Sequence, residues 1–271
     1  MKKATLVFCY PNDKTFSIED WGEATFVIRM LSSGFCLAIL SEKGNILSLN
    51  RYSFLPNLSI EEKIEAIENA RELYHLRCGK TIFQLYTNIN TQIPEDFYVE
   101  NLNNTIADLL VPKSKDYVPL AEKIAKEPLY NISLWNAVLL KKIKEKFPNY
   151  ELRTTMGSLL AKIEQRKPQE ECFVFVEDNN FTIIAKNENG LLACNCFDFE
   201  NEADFLYYCL LFLRKLYPNI EAVPLALGGN IATQFPLFQS LKKYMAKVEL
   251  IEKNNEAIDP IVNYHYYCDI F

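Results

Sequence analysis

Three short stretches carry residue types and spacings suited to chemistry. In "FVIRMLSSGFCLAIL" (residues 26–40), two apolar runs flank Ser32, Ser33 and Gly34. The hydroxyls and backbone N–H groups at such a hairpin tip can donate to an anion, although Ser-Gly is also ordinary hairpin chemistry. In "FVFVEDNNFTII" (residues 173–184), the tip is Glu177, Asp178, Asn179 and Asn180. It reads as a solvated turn, with Glu177 and Asp178 as the alternative pair of metal carboxylates. In "LALGGN" (residues 225–230), Gly228 and Gly229 precede Asn230; paired glycines permit positive φ and a close backbone approach to a ligand, and they also suit any tight strand-to-helix turn. Cys194 and Cys196 flank Asn195, so on a strand both thiols share a face, as a metal pair would require, but no His or Cys partner lies near in sequence. His75 ends a helical pattern and His265 sits in "NYHYYCDIF", and each reads as a structural or surface imidazole.

The elements around these stretches follow from hydrophobic periodicity. "SEKGNILSLNRYSF" (residues 41–54) continues the first hairpin, with Lys43, Gly44 and Asn45 as turn residues, so three strands form a meander. "LSIEEKIEAIENARELY" (residues 58–74) is an amphipathic helix: Ser59 and Glu62 make a capping box, and Ile60, Ile64, Ile67 and Leu73 mark the apolar face. "KTIFQLYT" (residues 80–87) reads as a buried fourth strand. Residues 87–169 are broken by Pro94, Pro112, Pro119 and Pro128, then settle into strand and helix pairs in "YNISLWNAVLLKKIKEKF" and "YELRTT…GSLLAKIEQ". "QRKPQEE" (residues 165–171) is the expected linker between lobes 1–168 and 169–271.

From residue 172 onward the order strand, turn, strand, turn, strand, helix, strand recurs. Setting Phe26 on Phe173 brings Phe35 onto Phe181, Gly44 onto Gly190, Asn50 onto Asn195 and Phe54 onto Phe199. "RELY" at the end of the first helix then falls against "RKLY" at the end of the second. Anchors in one order with small drift favour a duplicated unit.

Such a unit, with "LALGGN" in its second copy, resembles the actin-like ATPase superfamily of actins, sugar kinases and heat-shock chaperones. The whole chain resembles an uncharacterised bacterial family of that superfamily. The resemblance implies an α/β, duplicated ribonuclease H-like, two-lobed fold in which each lobe is a mixed five-stranded sheet flanked by helices. It also implies ATP and magnesium as cofactors, held by an Asp in each hairpin and by turn backbone and hydroxyls. Laid on this chain, the first Asp position falls at Arg29 or Met30 and the second at Phe175 or Val176. Ser32, Ser33, Gly34, Asn179, Asn180, Gly228, Gly229 and Asn230 remain as candidate nucleotide contacts, the last three matching the adenosine-side loop. Glu177 and Asp178 stand where phosphate would need glycines, and like charges at close range are strongly unfavourable.

Composition narrows the function classes. With 271 residues, 49% hydrophobic, the chain can fill a sizeable core, and 29 basic against 35 acidic residues, net −6, give no broad basic footprint for nucleic acid. Eight cysteines without C-x-x-C spacing fit a reducing cytoplasm. Residues 1–10 are too short an apolar run for a signal peptide, and no stretch approaches a membrane span. The expectation is a cytoplasmic, catalytically inactive actin-like protein without cofactor, acting as a scaffold or regulatory interaction module with a protein partner. The alternative is an ATPase or kinase using ATP and magnesium through Glu177 and Asp178. "FPLFQ" (residues 235–239) and the terminal "YHYYCDIF" are expected to serve the core, with partner docking as the tail's alternative.

Overall fold

The computed structural model describes residues 3–10, 24–42, 46–72, 80–111, 116–124, 128–147, 149–163, 169–231 and 235–251. Gly44, Leu73, Tyr74, His75, Cys78, the stretch 164–168 containing the expected lobe boundary, and the terminal "YHYYCDIF" lie outside the described residues. Two compact units emerge: residues 1–87, 99–122 and 132–155, and residues 88–98, 123–131 and 156–271.

The first unit is built on a six-stranded sheet. Its members are β1 (Ala4–Tyr10), β2 (Thr25–Met30), β3 (Gly34–Leu40), β4 (Ile46–Phe54), β5 (Lys80–Leu85) and, far along the chain, the strand Glu151–Thr154. The order is β1-β4-β3-β2-β5 and then Glu151–Thr154, with β2, β5 and Glu151–Thr154 parallel and the rest antiparallel. Helix α1 (Ile60–Glu72) starts at the expected capping box: the Glu62 carboxylate accepts from Ser59 N–H at 2.9 Å, and Glu62 N–H donates to Ser59 Oγ at 3.2 Å. Ile64 and Ile67 of α1 join Phe26, Ile28, Phe35, Leu37 and Phe83 of the strands in one core. The β3 run "GFCLAIL" is buried at every position, the pattern of a strand covered on both faces.

The sixth strand is a departure from the five expected. None of the residues of β1 whose burial is described is buried, and Leu6 and Val7 are 49% and 55% exposed, so β1 has no inward-facing apolar row to announce it in sequence. It is recruited by hydrogen bonding to β4.

The middle of the chain supplies β6 (Asn90–Pro94), α2 (Asn103–Leu110), β7 (Tyr117–Lys123), β8 (Leu129–Asn136), α3 (Ala137–Lys146), β9 (Glu151–Thr154, the strand named above) and α4 (Thr155–Ile163). Strands β6, β8 and β7 form a three-stranded sheet in that order. Asn136 caps α3 by accepting from Leu139 N–H at 3.1 Å, and Leu140, Ile143 and Phe147 enter the first core.

Where β9 meets α4, Thr154 Oγ1 donates to the Glu122 carboxylate at 2.5 Å. Burial pushes the Glu122 carboxyl above its ordinary value, and the Thr154 bonds only partly oppose this. A raised folded-state pKa means the protonated carboxyl is the better tolerated form, so its stabilising effect is full below the unfolded pKa and lost as pH rises through the folded one. Glu122→Gln is therefore expected to raise the melting temperature slightly at pH 7 and to match wild type below about pH 4. Paired thermal melts across this range check it.

The second unit carries β10 (Glu171–Val176), β11 (Asn180–Asn187), β12 (Gly190–Asp198), α5 (Glu202–Leu216), β13 (Leu225–Gly229), α6 (Pro236–Leu241) and β14 (Val248–Leu250). Its sheet order is β12-β11-β10-β13-β14, with β10, β13 and β14 parallel. This repeats the order and directions of β4-β3-β2-β5-β9. Val174, Val176, Phe181, Ile183, Leu225 and Leu227 pack under Phe205, Cys209 and Leu213 of α5. Phe238 of "FPLFQ" is 4% exposed in the same core, as a core role requires. In helix α5, Tyr207 is 62% exposed, so one side of this largely apolar helix faces water.

Candidate functional site

The two hairpin tips have the same hydrogen-bond pattern. In the first, Met30 pairs with Phe35, Leu31 N–H donates to the Gly34 carbonyl at 2.9 Å, and the Ser33 carbonyl accepts from Phe54 N–H at 2.9 Å. In the second, Val176 pairs with Phe181, Glu177 N–H donates to the Asn180 carbonyl at 2.8 Å, and the Asn179 carbonyl accepts from Phe199 N–H at 2.9 Å. Phe35 thus corresponds to Phe181, Asn50 to Asn195 and Phe54 to Phe199, as aligned from sequence. Phe26 corresponds to Cys172 rather than Phe173, because the two tips have equal length and no residue slips between them.

Gly34 is a packing residue. A Cβ there would lie 2.0 Å from the Tyr52 carbonyl oxygen, because antiparallel β4 runs alongside with Ser53 paired to Gly34. Ser32 is exposed and Ser33 half-buried. The first Asp position lies in β2, where Phe26 and Ile28 face the core; Arg29 points to the sheet's other side and is fully buried.

The second unit brings the seven remaining candidates to one end of its sheet. At the carboxyl ends of parallel β10 and β13, Val176 pairs with Gly229, and Asn230 N–H donates to the Val176 carbonyl at 2.7 Å. Asn230 Nδ2 reaches Asp178 Oδ1 at 3.4 Å, joining the loop after β13 to the hairpin tip. Gly229 has φ 87°, and a Cβ on it would lie 2.1 Å from the Val176 carbonyl oxygen. At Gly228 a Cβ would meet Phe175 and Ile251 side chains at 3.0 Å. Both glycines are thus accounted for by their own neighbours.

At this end of the sheet Glu177 and Asn180 are 5% and 2% exposed, while Asp178 and Asn179 are exposed. Asn180 Oδ1 is buried with no hydrogen-bond partner among the described residues. Asn180 sits across from Asp198, and Thr182 across from Cys196. Thr182 Oγ1 and Cys196 Sγ are 3.4 Å apart, Asn90 Nδ2 donates to Cys196 Sγ at 3.5 Å, and Asn88 Nδ2 donates to Asp198 Oδ2 at 2.7 Å. Burial pushes the Cys196 thiol up, the hydrogen bonds from Thr182 and Asn90 oppose this in part, and the Glu177 and Asp198 charges add to it. Burial also pushes up the Cys194 thiol, with Cys196 adding to it. Among the described residues no group of three or more His, Cys, Asp and Glu is placed to hold a metal ion.

Sequence reasoning missed the amide cluster of Asn90, Gln92 and Asn131, in which Gln92 Nε2 donates to Asn90 Oδ1 at 3.0 Å and to Asn131 Oδ1 at 2.9 Å. The only sequence signal was the Asn and Gln density of "NINTQ", residues 88–92.

Residues 13–248 match the family described as "Protein of unknown function (DUF3822)". The chain belongs to that family. No curated protein matches it. Among solved structures, the DUF3822 chain is similar to a Bacteroides thetaiotaomicron protein with actin-like ATPase fold and unknown function. The TM-score is 0.78 at 18% identity, over 93% of this chain and 97% of that one. It is also similar to the type IV pilus biogenesis complex PilM-PilN, with TM-score 0.56 at 11% identity over 92% and 97% of the two chains. A third likeness is to the ethanolamine utilization protein EutJ from Carboxydothermus hydrogenoformans, with TM-score 0.50 at 9% identity over 91% and 88%. The fold is the two-lobed actin-like ATPase fold, and at these identities the likeness speaks to fold alone.

Magnesium ATP, which that fold implies, does not fit the residues present. The positions onto which the resemblance lays the magnesium carboxylates hold Arg29 or Met30 and Phe175 or Val176, and the second tip carries Glu177, which is buried, and Asp178, which is exposed. Glycines that would cradle phosphate are instead filled against backbone at Tyr52 and Val176. No helix of the described residues is long and apolar enough to cross a membrane.

Proposed function

We propose that this DUF3822 protein is a catalytically inactive actin-like protein that works in the cytoplasm as a scaffold or regulatory interaction module. The observation that carries the reading is the second hairpin tip: Glu177, buried, and Asp178, exposed, stand at the turn that, by the resemblance, meets phosphates in the active superfamily members. A di- or triphosphate brought there adds like charge in a poorly solvated place. The matching hydrogen bonds of the two tips support descent from a duplicated unit whose frame persisted without its ligands. PilM, a protein of the same fold, is solved in complex with PilN, which supports a protein partner as a use for this fold.

Calorimetric titration with magnesium ATP, combined with a phosphate-release assay, tests the proposal. The expected result is no micromolar binding and no turnover above buffer, and micromolar binding with turnover overturns it. A second reading, an ATPase or kinase with Glu177 and Asp178 as metal carboxylates, draws support from the unsatisfied Asn180 Oδ1, an acceptor that a cation or its water could use. On that reading, Glu177→Ala with Asp178→Ala abolishes whatever turnover the wild type shows.

A further inference from the structure

Three oxygen-bearing side chains stand in one row across the second sheet. Asn180 lies opposite Asp198 of β12, and on its other side Glu177 N–H donates to the Asn180 carbonyl at 2.8 Å, continuing the β10–β11 ladder past the Val176–Phe181 pair. Residues directly opposite share a face, with Cβ atoms about 4.5–5.5 Å apart. Phe181 and Ile183 take the α5 side of β11, so Asn180 and Thr182 take the other. In the neighbouring row Thr182 Oγ1 and Cys196 Sγ are 3.4 Å apart, so side chains on this face do meet across the strands. All of these residues belong to the second unit.

Asn180 sets the row apart. Its side chain is 2% exposed, and its Oδ1 is buried with no hydrogen-bond partner among the described residues. An acceptor left in that state bears its full desolvation penalty. What stands on either side is a carboxylate and not a donor. Asp198 is exposed and accepts from Asn88 Nδ2 at 2.7 Å, while Glu177 is 5% exposed. Both charges reach Cys196 in the next row, where they act to push its thiol up. Ionised carboxylates only accept, so an amide oxygen between two of them faces more acceptors. A positive charge resolves that arrangement. Hard oxygen ligands with two negative charges suit Ca2+ or Mg2+, with water filling the rest of the shell.

We propose that the row of Glu177, Asn180 and Asp198 binds a hard divalent cation, Ca2+ or Mg2+, with Asn180 Oδ1 as the central ligand and the two carboxylates supplying the charge. Its ligands come from β11 and β12 as well as from the tip, and no nucleotide is required. Such a site adds to the interaction-module reading without resting on it.

Isothermal titration of the nucleotide-free full chain with CaCl2 and with MgCl2, paired with thermal melts, tests the site. NaCl at matched ionic strength and methylammonium chloride are the controls. The expected result is saturable binding of one or both divalent cations and a raised melting temperature that neither control reproduces. Asp198→Asn can still accept from Asn88 and alters an exposed side chain. Its melting temperature without cation should stay at the wild-type value, while its cation affinity falls at least about tenfold. Asn180→Asp places a third carboxylate in the row. Without cation it should melt lower through like-charge repulsion, yet it should bind the cation more tightly, a gain that a merely structural asparagine does not give. Asp178→Asn, at the exposed tip, should bind as wild type does. The proposal is overturned by absence of saturable binding, by equal binding of methylammonium, or by unchanged affinity in Asp198→Asn. Loss of binding in Asp178→Asn also overturns it, since the cation then sits on the outer tip as the ATPase reading has it. Turnover of magnesium ATP would instead sink the inactive-module reading, and the nucleotide-free affinities of these variants would still decide the cation site.

Discussion

Gly229→Ala is expected to destabilise the second unit by roughly 3 kcal/mol or more, seen as an early urea transition. Two costs add. At φ 87° an L side chain strains its own backbone, and the new methyl would lie 2.1 Å from the Val176 carbonyl and 2.8 Å from the Val176 nitrogen. Both are backbone atoms of a strand buried at every position, so relief requires β10 and β13 to part. The matched control is Gly228→Ala, whose methyl meets side-chain atoms of Phe175 and Ile251 at 3.0 Å. Rings and methyl tips can move where a carbonyl cannot, so this loss should be clearly smaller. A Gly229→Ala midpoint equal to wild type would show that the close approach of β10 and β13 is not what demands glycine there.

Arg29→Met is expected to cost about 3–5 kcal/mol, despite replacing a charged side chain by an apolar one in a fully buried place. A guanidinium does not deprotonate, so a fully buried one is tolerated only where its surroundings compensate the charge, and removing the charge leaves that compensation desolvated. Arg29→Lys should recover only part of the loss, because a point charge cannot reproduce the planar fork. Equilibrium urea unfolding of the three proteins decides the matter; an Arg29→Met protein as stable as wild type would show that burial of this charge is uncompensated and merely tolerated. The same measurement bears on function. Arg29 occupies one of the two positions onto which the resemblance lays the superfamily's first magnesium carboxylate, so the expected loss in Arg29→Met would tie the departure from the active pattern to the first unit's stability.

The strands and helices that wear their pattern openly were legible. The meander of β2, β3 and β4, the capping box of α1, and the strand and helix of β8 and α3 follow from period, turn chemistry and caps. Other elements were not. β1 shows no buried row, β6 and β7 have no buried residue beyond what loops show, and α2 has its apolar face outside the core. Their positions come from hydrogen bonding to distant strands or from surfaces left uncovered, neither of which a local window encodes.

At the candidate site the division is similar. The residue types at both tips, and the lack of carboxylates at Arg29, Met30, Phe175 and Val176, were visible in sequence because a hairpin fixes register over a few neighbouring residues. The equivalence of the two tips was nearly visible, off by one residue on a single strand. Only the tertiary structure decided why the glycines are glycine: Tyr52 and Val176, far along the chain from Gly34 and Gly229, press their backbones against them. It also decided that Asn230 meets Asp178 and that Asn88 and Asn90 meet Asp198 and Cys196, pairs separated by 52, 110 and 106 residues. Local chemistry chose the turns; long-range packing chose what faces them, because side-chain environment depends on which strands pair and not on the residues next in line.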